Sequence, residues 1–164
     1  MLAGHYGFTD EELDFILSAQ LRAGNDGMTS GKYLFDAGCV LYSKLRPYLR
    51  KAVLVTFSGL CSADMYPIST NQDKLLPEFL LWLLLSEDFT EYADNESRRA
   101  RMPKLNREQL FAFETEIPPI SVQQEIVQAI RSERALVDSN RKLIEIFEAK
   151  IKAKLDEIWG DGKK

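Results

Sequence analysis

The sequence contains one histidine, His5, and two cysteines, Cys39 and Cys61, among its 164 residues. Because the one histidine lies close to the N-terminus, a Ser–His–Asp or Cys–His catalytic constellation is nearly excluded. A structural zinc site needs four nitrogen or sulfur ligands, which these three residues cannot supply. The cysteines form no CxxC pattern. We therefore expect two half-buried free thiols in a reducing compartment, with a disulfide between them as the alternative.

Phosphate-binding and base-flipping motifs are also missing. The sequence has no glycine-rich loop of the GxxxxGK[ST] or GxGxxG type. An adenine methyltransferase would need an Asn/Asp-Pro-Pro-aromatic loop to hold the flipped base, whereas Pro118 and Pro119 are flanked by isoleucines. We therefore predict that the chain is not an enzyme and uses no cofactor and no metal.

Long hydrophobic runs are absent as well. The most apolar stretch, residues 79–85, is far too short to span a bilayer. The N-terminus does not combine a basic region with an apolar one, as a signal peptide does. We expect a cytoplasmic protein without membrane contact.

The net charge of −4 argues by itself against a nucleic-acid ligand, but the positive charges are unevenly distributed. They cluster in two segments without acidic residues, which leaves the rest of the chain strongly acidic. A molecule polarised in this way can present a basic face to a phosphate backbone while its total charge is negative. The clustered cations are Lys44, Arg46, Arg50 and Lys51 in the first segment, and Arg98, Arg99, Arg101, Lys104 and Arg107 in the second.

The first segment, residues 42–51, combines cations with tyrosine and serine hydroxyls between two expected strands. Lysine and arginine bind phosphates, and the hydroxyls can bind phosphates or base edges. The alternative is a solvated strand edge whose charges and Pro47 prevent aggregation. The predicted DNA-binding residues of this segment are Tyr42, Ser43, Lys44, Arg46, Tyr48, Arg50 and Lys51.

The second segment, residues 97–107, shows no hydrophobic periodicity and is predicted to be a loop. Three arginines within four positions have no packing role, and the planar guanidinium suits two-point contact with guanine or phosphate. The alternative is a solvated run of charge that balances the acidic remainder. The predicted DNA-binding residues here are Ser97, Arg98, Arg99, Arg101, Lys104 and Asn106.

The composition, 45% hydrophobic and 28% charged, is that of a globular protein. The pattern predicts an α+β fold: a small, twisted, mostly antiparallel sheet with helices, followed by one long C-terminal helix of the coiled-coil type. A helix with a capping box is expected from Thr9, and a turn at residues 36–38. The expected strands are residues 39–43, 52–57, 60–68 and 113–117, and the expected helices run from Pro77 to residues 94–97 and over 107–111.

After Pro119, a single helix is predicted from about Ser121 to Trp159, because no proline or glycine interrupts it before Gly160. Ser121 and Gln124 are expected to form a capping box at its start. Apolar residues recur every seven positions, which is typical of a coiled coil. Polar residues such as Glu133 interrupt this stripe. The predicted seam consists of Ile126, Ile130, Val137, Ile144, Phe147, Ile151, Leu155 and Ile158.

A helix of roughly 57 Å, at 1.5 Å per residue, exceeds the diameter of the preceding domain. We therefore expect the stripe to pack against a second copy of the chain or another subunit. The alternative is a helix that folds back over its own sheet.

Three motifs resemble type I restriction–modification specificity subunits, in the order found in that family. They are GCVLYSKLRPYLRK at residues 38–51, RMPKLN at 101–106, and IPPI with QQEIV over 117–127. The family's usual acidic residue is Cys39 here. The resemblance covers residues 31–160 and implies a target-recognition domain with its spacer helix, either half of a full subunit or a truncated one. Full subunits hold two such domains joined by paired helices on which methyltransferase subunits dock.

These observations predict three segments: an N-terminal helix and linker (1–30), a DNA-binding target-recognition domain (31–118) and a spacer or dimerisation helix (119–160). The predicted function is sequence-specific binding of double-stranded DNA that directs methyltransferase and endonuclease subunits to a target site. The expected partners are DNA, the modification subunit, the restriction subunit, and a second copy or a second spacer helix. The alternative is an assembly element that docks a methyltransferase subunit without binding DNA.

Overall fold

A computed structural model of the protein describes residues 3–6, 32–98 and 102–160. The helix predicted from Thr9, and the two arginines Arg99 and Arg101, lie outside the described residues. The chain divides into two compact units, Met1–Gln124 and Glu125–Lys164, which are treated separately below.

The described residues of the first unit form a four-stranded sheet and a two-stranded sheet, in which all the strand pairs are antiparallel. The order of strands in the larger sheet is β1-β4-β3-β6, and β2 pairs with β5. The strands are β1 (Ala3–Tyr6), β2 (Lys32–Phe35), β3 (Val40–Ser43), β4 (Ala52–Leu54), β5 (Gly59–Ser62) and β6 (Met65–Ile68).

Side chains alternate along the central strand β3 and so supply two hydrophobic clusters. Val40 and Tyr42 belong to a cluster with apolar residues of the helices, whereas Leu41 belongs to a second cluster with Phe35 and Cys61. Both faces of this strand are therefore buried, which explains why its sequence is apolar without alternation. Cys39 and Cys61 are free thiols, as expected, but they are buried rather than half-buried. Burial raises the pKa of Cys39 to about 11 and raises that of Cys61 as well.

The region predicted as one helix from Pro77 is two helices, α1 (Pro77–Leu85) and α2 (Glu87–Ser97). The break falls at Ser86, whose backbone is extended and whose side-chain oxygen accepts a hydrogen bond from the Phe89 N–H at 3.2 Å. This capping hydrogen bond favours the start of a new helix at Ser86 over continuation of the preceding helix. The prediction of a single helix was wrong because apolar residues continue on both sides of this cap.

Three strand predictions also needed correction. Residues 60–68 form two strands, β5 and β6, because the chain turns at Ala63 and Asp64. Residues 113–117 have no regular structure. Phe113 is held instead by edge-to-face packing on Phe89, with ring centroids 5.0 Å apart. The strand predicted over 52–57 ends at Leu54.

Helix α3 (Arg107–Phe111) begins as predicted, with Asn106 as its N-cap. The Asn106 side chain accepts from the Gln109 N–H, and the Gln109 side chain accepts from the Asn106 N–H, which completes a capping box. The long helix α4 covers Ile120–Gly160, or 41 residues. Because Ile120 is its first residue, Ser121 lies inside the first turn rather than at the predicted N-cap.

Gln123, which lies in the first turn of α4 and within the first unit, is completely buried. Its side-chain oxygen accepts a hydrogen bond from the Leu76 N–H at 2.9 Å. Its side-chain nitrogen donates to the carbonyls of Lys74 and Pro118 at 2.9 and 2.8 Å. One amide group therefore satisfies three main-chain groups just before α1 and α4.

Within the second unit, the helix exposes its apolar stripe. Val137, Ile144, Ile151 and Ile158, spaced at seven residues, are 49–59% exposed. Such exposure is high for large apolar side chains in regular spacing. Among the described residues, no helix is long and apolar enough to cross a membrane.

We expect Gln123→Ala to lower the free energy of unfolding by about 2–4 kcal/mol, because it removes three hydrogen bonds and leaves buried main-chain groups unpaired. Urea denaturation measures the change. The matched control is Gln124→Ala, since Gln124 is the exposed neighbour on the same turn and should change stability by less than about 0.5 kcal/mol. Equal destabilisation by the two variants would contradict this role of Gln123.

Candidate nucleic-acid interface

The two basic segments lie side by side. The Arg46 N–H donates to the Pro103 carbonyl at 2.9 Å, and the Leu105 N–H donates to the Lys44 carbonyl at 2.9 Å. These bonds flank an antiparallel bridge between Leu45 and Lys104. We call residues 43–51 and 102–107 the paired basic loops. Main-chain hydrogen bonds thus join two cation-rich segments that are more than fifty positions apart in the sequence.

A third element, the turn between β5 and β6, contacts both loops. The Lys44 N–H donates to the Asp64 carbonyl at 3.0 Å, and the Lys104 ammonium lies 3.4 Å from the Asp64 carboxylate. The Tyr66 hydroxyl donates to the Leu105 carbonyl at 3.2 Å. Sequence reasoning missed Asp64 and Tyr66 because it treated residues 60–68 as one strand. The Ser62-Ala63-Asp64 run was an available turn signal.

Lys44 does not point into solvent. Its side chain is 9% exposed, its ammonium donates to the Ala63 carbonyl, and the same nitrogen lies 5.1 Å from the centre of the Tyr66 ring. The Asp64 carboxylate is 3.9 Å away. A lysine buried with these partners stabilises the turn and cannot contact a ligand at the surface. We therefore remove Lys44 from the predicted DNA-contacting set.

Tyr42 and Ser97 are removed from that set for the same reason. Tyr42 is 1% exposed and packs edge-to-face on Phe89, with centroids 5.5 Å apart, and burial raises the pKa of its hydroxyl. Ser97 is 3% exposed, and its hydroxyl donates to the Asp94 carbonyl at the end of α2. Both predictions took buried polar side chains for surface groups.

Arg46 and Arg50 are exposed and flank a short 3-10 turn, Pro47–Leu49. Both adopt the left-handed backbone conformation, with φ of 51° and 50°. This conformation costs about 1–2 kcal/mol for a residue with a side chain, and such strain is concentrated at functional sites. Among the described residues, no carboxylate lies within ion-pair distance of either arginine. Tyr48, between them, is 49% exposed.

The remaining described residues of the predicted set have partners inside the protein. Arg98 forms an ion pair with Asp94 at 2.7 Å, one turn away on the same helix. The Ser43 hydroxyl donates to the Leu45 carbonyl at 3.4 Å, and Lys51 is half-buried. Asn106 is exposed but serves as the N-cap of α3. Lys104 is 49% exposed beside Asp64, so a phosphate could compete for its ammonium.

Within the described part of the chain, no group of three or more histidine, cysteine, aspartate or glutamate side chains is arranged to hold a metal ion. An apolar hollow with a volume of about 490 Å³ is lined by residues of β6, α1 and α3, and none of its lining residues belongs to the paired basic loops. The chemistry available at the loops is therefore that of exposed cations, a carboxylate and a tyrosine ring.

The sequence profile of the family described as type I restriction modification DNA specificity domain matches residues 23–157. The chain belongs to this family. The match includes both paired basic loops and most of α4, so the family resemblance of the three sequence motifs is confirmed.

Two curated specificity-domain relatives show the same relationship. The chain is 40% identical over 119 residues to the type I restriction enzyme EcoDI specificity subunit of Escherichia coli, covering 73% of this chain and 26% of that protein. It is 29% identical over 122 residues to the HindI specificity subunit of Haemophilus influenzae, covering 71% and 27%. The chain thus spans about a quarter of the length of these relatives.

Solved structures share the fold. The HsdS subunit from Thermoanaerobacter tengcongensis superposes with a TM-score of 0.63 at 24% identity, over 73% of this chain and 32% of that one. A chain from a study of complex assembly and conformational transition of the type I R-M system gives a TM-score of 0.68 at 21% identity, over 84% and 36%. The predicted α+β class with a long C-terminal helix is therefore confirmed.

Because Arg46 and Arg50 adopt the left-handed conformation, glycine at either position should stabilise the domain. We expect Arg46→Gly and Arg50→Gly each to raise the free energy of unfolding by about 0.5–1 kcal/mol, the relief of strain less the added backbone entropy. Urea midpoints measure this. Arg46→Ala is the control, because alanine meets the same backbone strain as arginine and should gain nothing. A lower stability of the glycine variants would show that the arginine side chains stabilise the fold.

Proposed function

We propose that this specificity domain binds double-stranded DNA through the paired basic loops and recognises a sequence there. The observation that supports the proposal is the pair of hydrogen bonds that join Arg46 to Pro103 and Leu105 to Lys44. They join the segment that carries Arg46 and Arg50 to the segment that carries Lys104 and Arg107, so positive charge from both is concentrated locally. A phosphate backbone responds to such a local field even when the net charge of the protein is −4.

Arg46 and Arg50 are the residues best suited to phosphate contact. Both are exposed, and the short turn between them is fixed by the Leu49 N–H donating to the Arg46 carbonyl and the Arg50 N–H donating to the Pro47 carbonyl, each at 2.9 Å. Because these hydrogen bonds fix the backbone of the turn, each guanidinium can reach only a limited set of positions. The residual strain at both positions is understandable if the arginines are retained for binding rather than for stability. Arg99, Arg101 and Tyr48 remain in the proposed contact set.

Binding to a labelled mixed-sequence duplex, measured by fluorescence anisotropy at several salt concentrations, tests this proposal. We expect affinity to fall steeply with salt. The double variant Arg46→Ala/Arg50→Ala should weaken binding and lower the slope of log affinity against log salt by about 0.9 for each phosphate that the protein no longer neutralises.

The control removes the same charge elsewhere. Lys142→Ala/Lys152→Ala deletes two exposed lysines of the long helix and should leave most of the affinity and salt slope in place. Equal effects of the two double variants would indicate non-specific attraction. No binding by the unaltered chain would reject the proposed DNA-binding role.

We further propose that α4 pairs through its seam with a second copy of the chain. The apolar side chains at seven-residue spacing are about half exposed, and a coiled-coil partner would cover them. Glu133 and Lys154 interrupt the seam at opposite ends. In a parallel in-register pair, each of these residues would face the same residue of the second copy, so like charges would meet. In an antiparallel pair, Glu133 would lie near Lys154 of the second copy, so opposite charges would meet. Such a dimer would bring two recognition domains to a split, symmetric site.

Light scattering after size-exclusion chromatography tests the pairing. We expect a dimer, and we expect Val137→Glu/Ile144→Glu to yield monomers because each glutamate would enter the apolar seam. The control, Ala135→Glu/Lys142→Glu, introduces the same residue on the opposite face of the helix and should remain dimeric. A monomeric unaltered chain, or dissociation of both variants, would contradict the proposed seam.

A second candidate function is an assembly element that docks a methyltransferase subunit. It is favoured by exposed apolar side chains outside the seven-residue series, such as Leu136 (67% exposed) and Trp159 (72%). A dimer that shows no affinity for DNA would support this function over DNA recognition. In either case the chain would direct the chemistry of other subunits and contribute no catalytic group.

A further inference from the structure

We propose that Asp64 is a specificity-determining residue that accepts a hydrogen bond from an exocyclic amino group of a base, either cytosine N4 or adenine N6. The proposal rests on DNA recognition by the paired basic loops and goes beyond it by naming the chemical group that one residue recognises. Neither the composition nor the motifs singled out this residue.

The position of Asp64 is set by contacts to both loops. Its carbonyl accepts from the Lys44 N–H at 3.0 Å, and its own N–H is held by the Ser62 hydroxyl at 3.2 Å. One carboxylate oxygen lies 3.4 Å from the Lys104 ammonium. The carboxylate is therefore anchored at the junction of the two loops while its side chain stays 47% exposed.

The carboxylate is not needed to compensate the buried charge of Lys44. That ammonium already has the Ala63 carbonyl as a hydrogen-bond acceptor and the Tyr66 ring as a cation–π partner. Its distance of 3.9 Å to the carboxylate makes the ion pair a weak third contact. The ion pair with Lys104 is half exposed on both sides, and pairs of this kind contribute little to stability.

An exposed carboxylate among cations has a definite consequence for DNA binding. It repels phosphates and reduces the charge that Lys104 can offer, so it weakens contact with every duplex alike. An ionised carboxylate only accepts hydrogen bonds, and a phosphate has no proton to donate. The amino groups of cytosine and adenine in the major groove are donors, and aspartate is a suitable acceptor for them. A matching base would offset the repulsion, whereas a mismatched base would not.

Selection from a library of random duplexes, followed by sequencing of the bound fraction, tests the proposal with the full chain. Three variants are compared with the unaltered protein. Asp64→Ala removes the charge and the acceptor. Asp64→Asn removes the charge but keeps a carbonyl acceptor. Asp73→Ala is the control, because Asp73 is an exposed acid of the same domain that lies in the turn before α1.

We expect the unaltered chain to enrich a site that contains a cytosine or adenine position whose preference falls about 5- to 150-fold in Asp64→Ala and persists in part in Asp64→Asn. Both Asp64 variants should bind random DNA more tightly than the unaltered chain, with a steeper salt dependence, because Lys104 is released. Asp73→Ala should keep the whole preference. The thermal unfolding midpoints of the three variants should stay within a few degrees of that of the unaltered chain. Misfolding would then not explain a change in base preference.

The outcomes separate the two proposals. An enriched site that Asp64→Ala retains at every position would overturn base recognition by Asp64 and leave the DNA-binding role intact. Tighter binding with an unchanged base preference would mean that the charge of Asp64 only weakens DNA binding in general. That result would also overturn base recognition by Asp64. If the unaltered chain bound no DNA, the proposed function itself would fail, and the role of Asp64 with it.

Discussion

The arrangement of the candidate interface depends on the two main-chain hydrogen bonds between residues 44–46 and 103–105. They hold together two segments that both carry positively charged residues. Because main-chain groups form these bonds, they are independent of most side-chain substitutions, so the loops can vary in sequence and stay paired. Substitution of exposed residues such as Arg46 and Lys104 can then change what the loops bind without separating the loops.

The turn between β5 and β6 supplies hydrogen-bond acceptors to both loops. It supplies the Ala63 carbonyl and the Asp64 carboxylate to the two lysines, and β6 supplies the Tyr66 ring. An ammonium buried without such partners would destabilise the domain by several kcal/mol, since its hydration is lost. Lys44 therefore belongs to the structural support of the interface, and the cations that remain exposed beside it, Arg46 and Arg50, are the ones available to phosphate.

Prediction from sequence succeeded where structure is local. The Asn106 capping box, the turn at residues 36–38 and the uninterrupted helix from Ile120 all follow from neighbouring residues, and the structure contains each of them. It failed where a choice depends on distant groups. Phe113 could not be assigned correctly because its packing partners, Phe89 and Tyr92, come from another helix. The cap at Ser86 was hidden inside a continuous apolar pattern.

The sequence alone determined the family, the class of fold, the two clusters of positive charge and the seven-residue stripe of the long helix, since each is encoded in the order and spacing of residues. Only the tertiary structure decided which polar side chains reach the surface. Tyr42, Lys44 and Ser97 are buried whereas Arg46 and Arg50 are exposed, although all five lie in segments of similar polarity. Burial depends on which strands and helices pack over a residue, and that packing involves contacts between positions far apart in the chain.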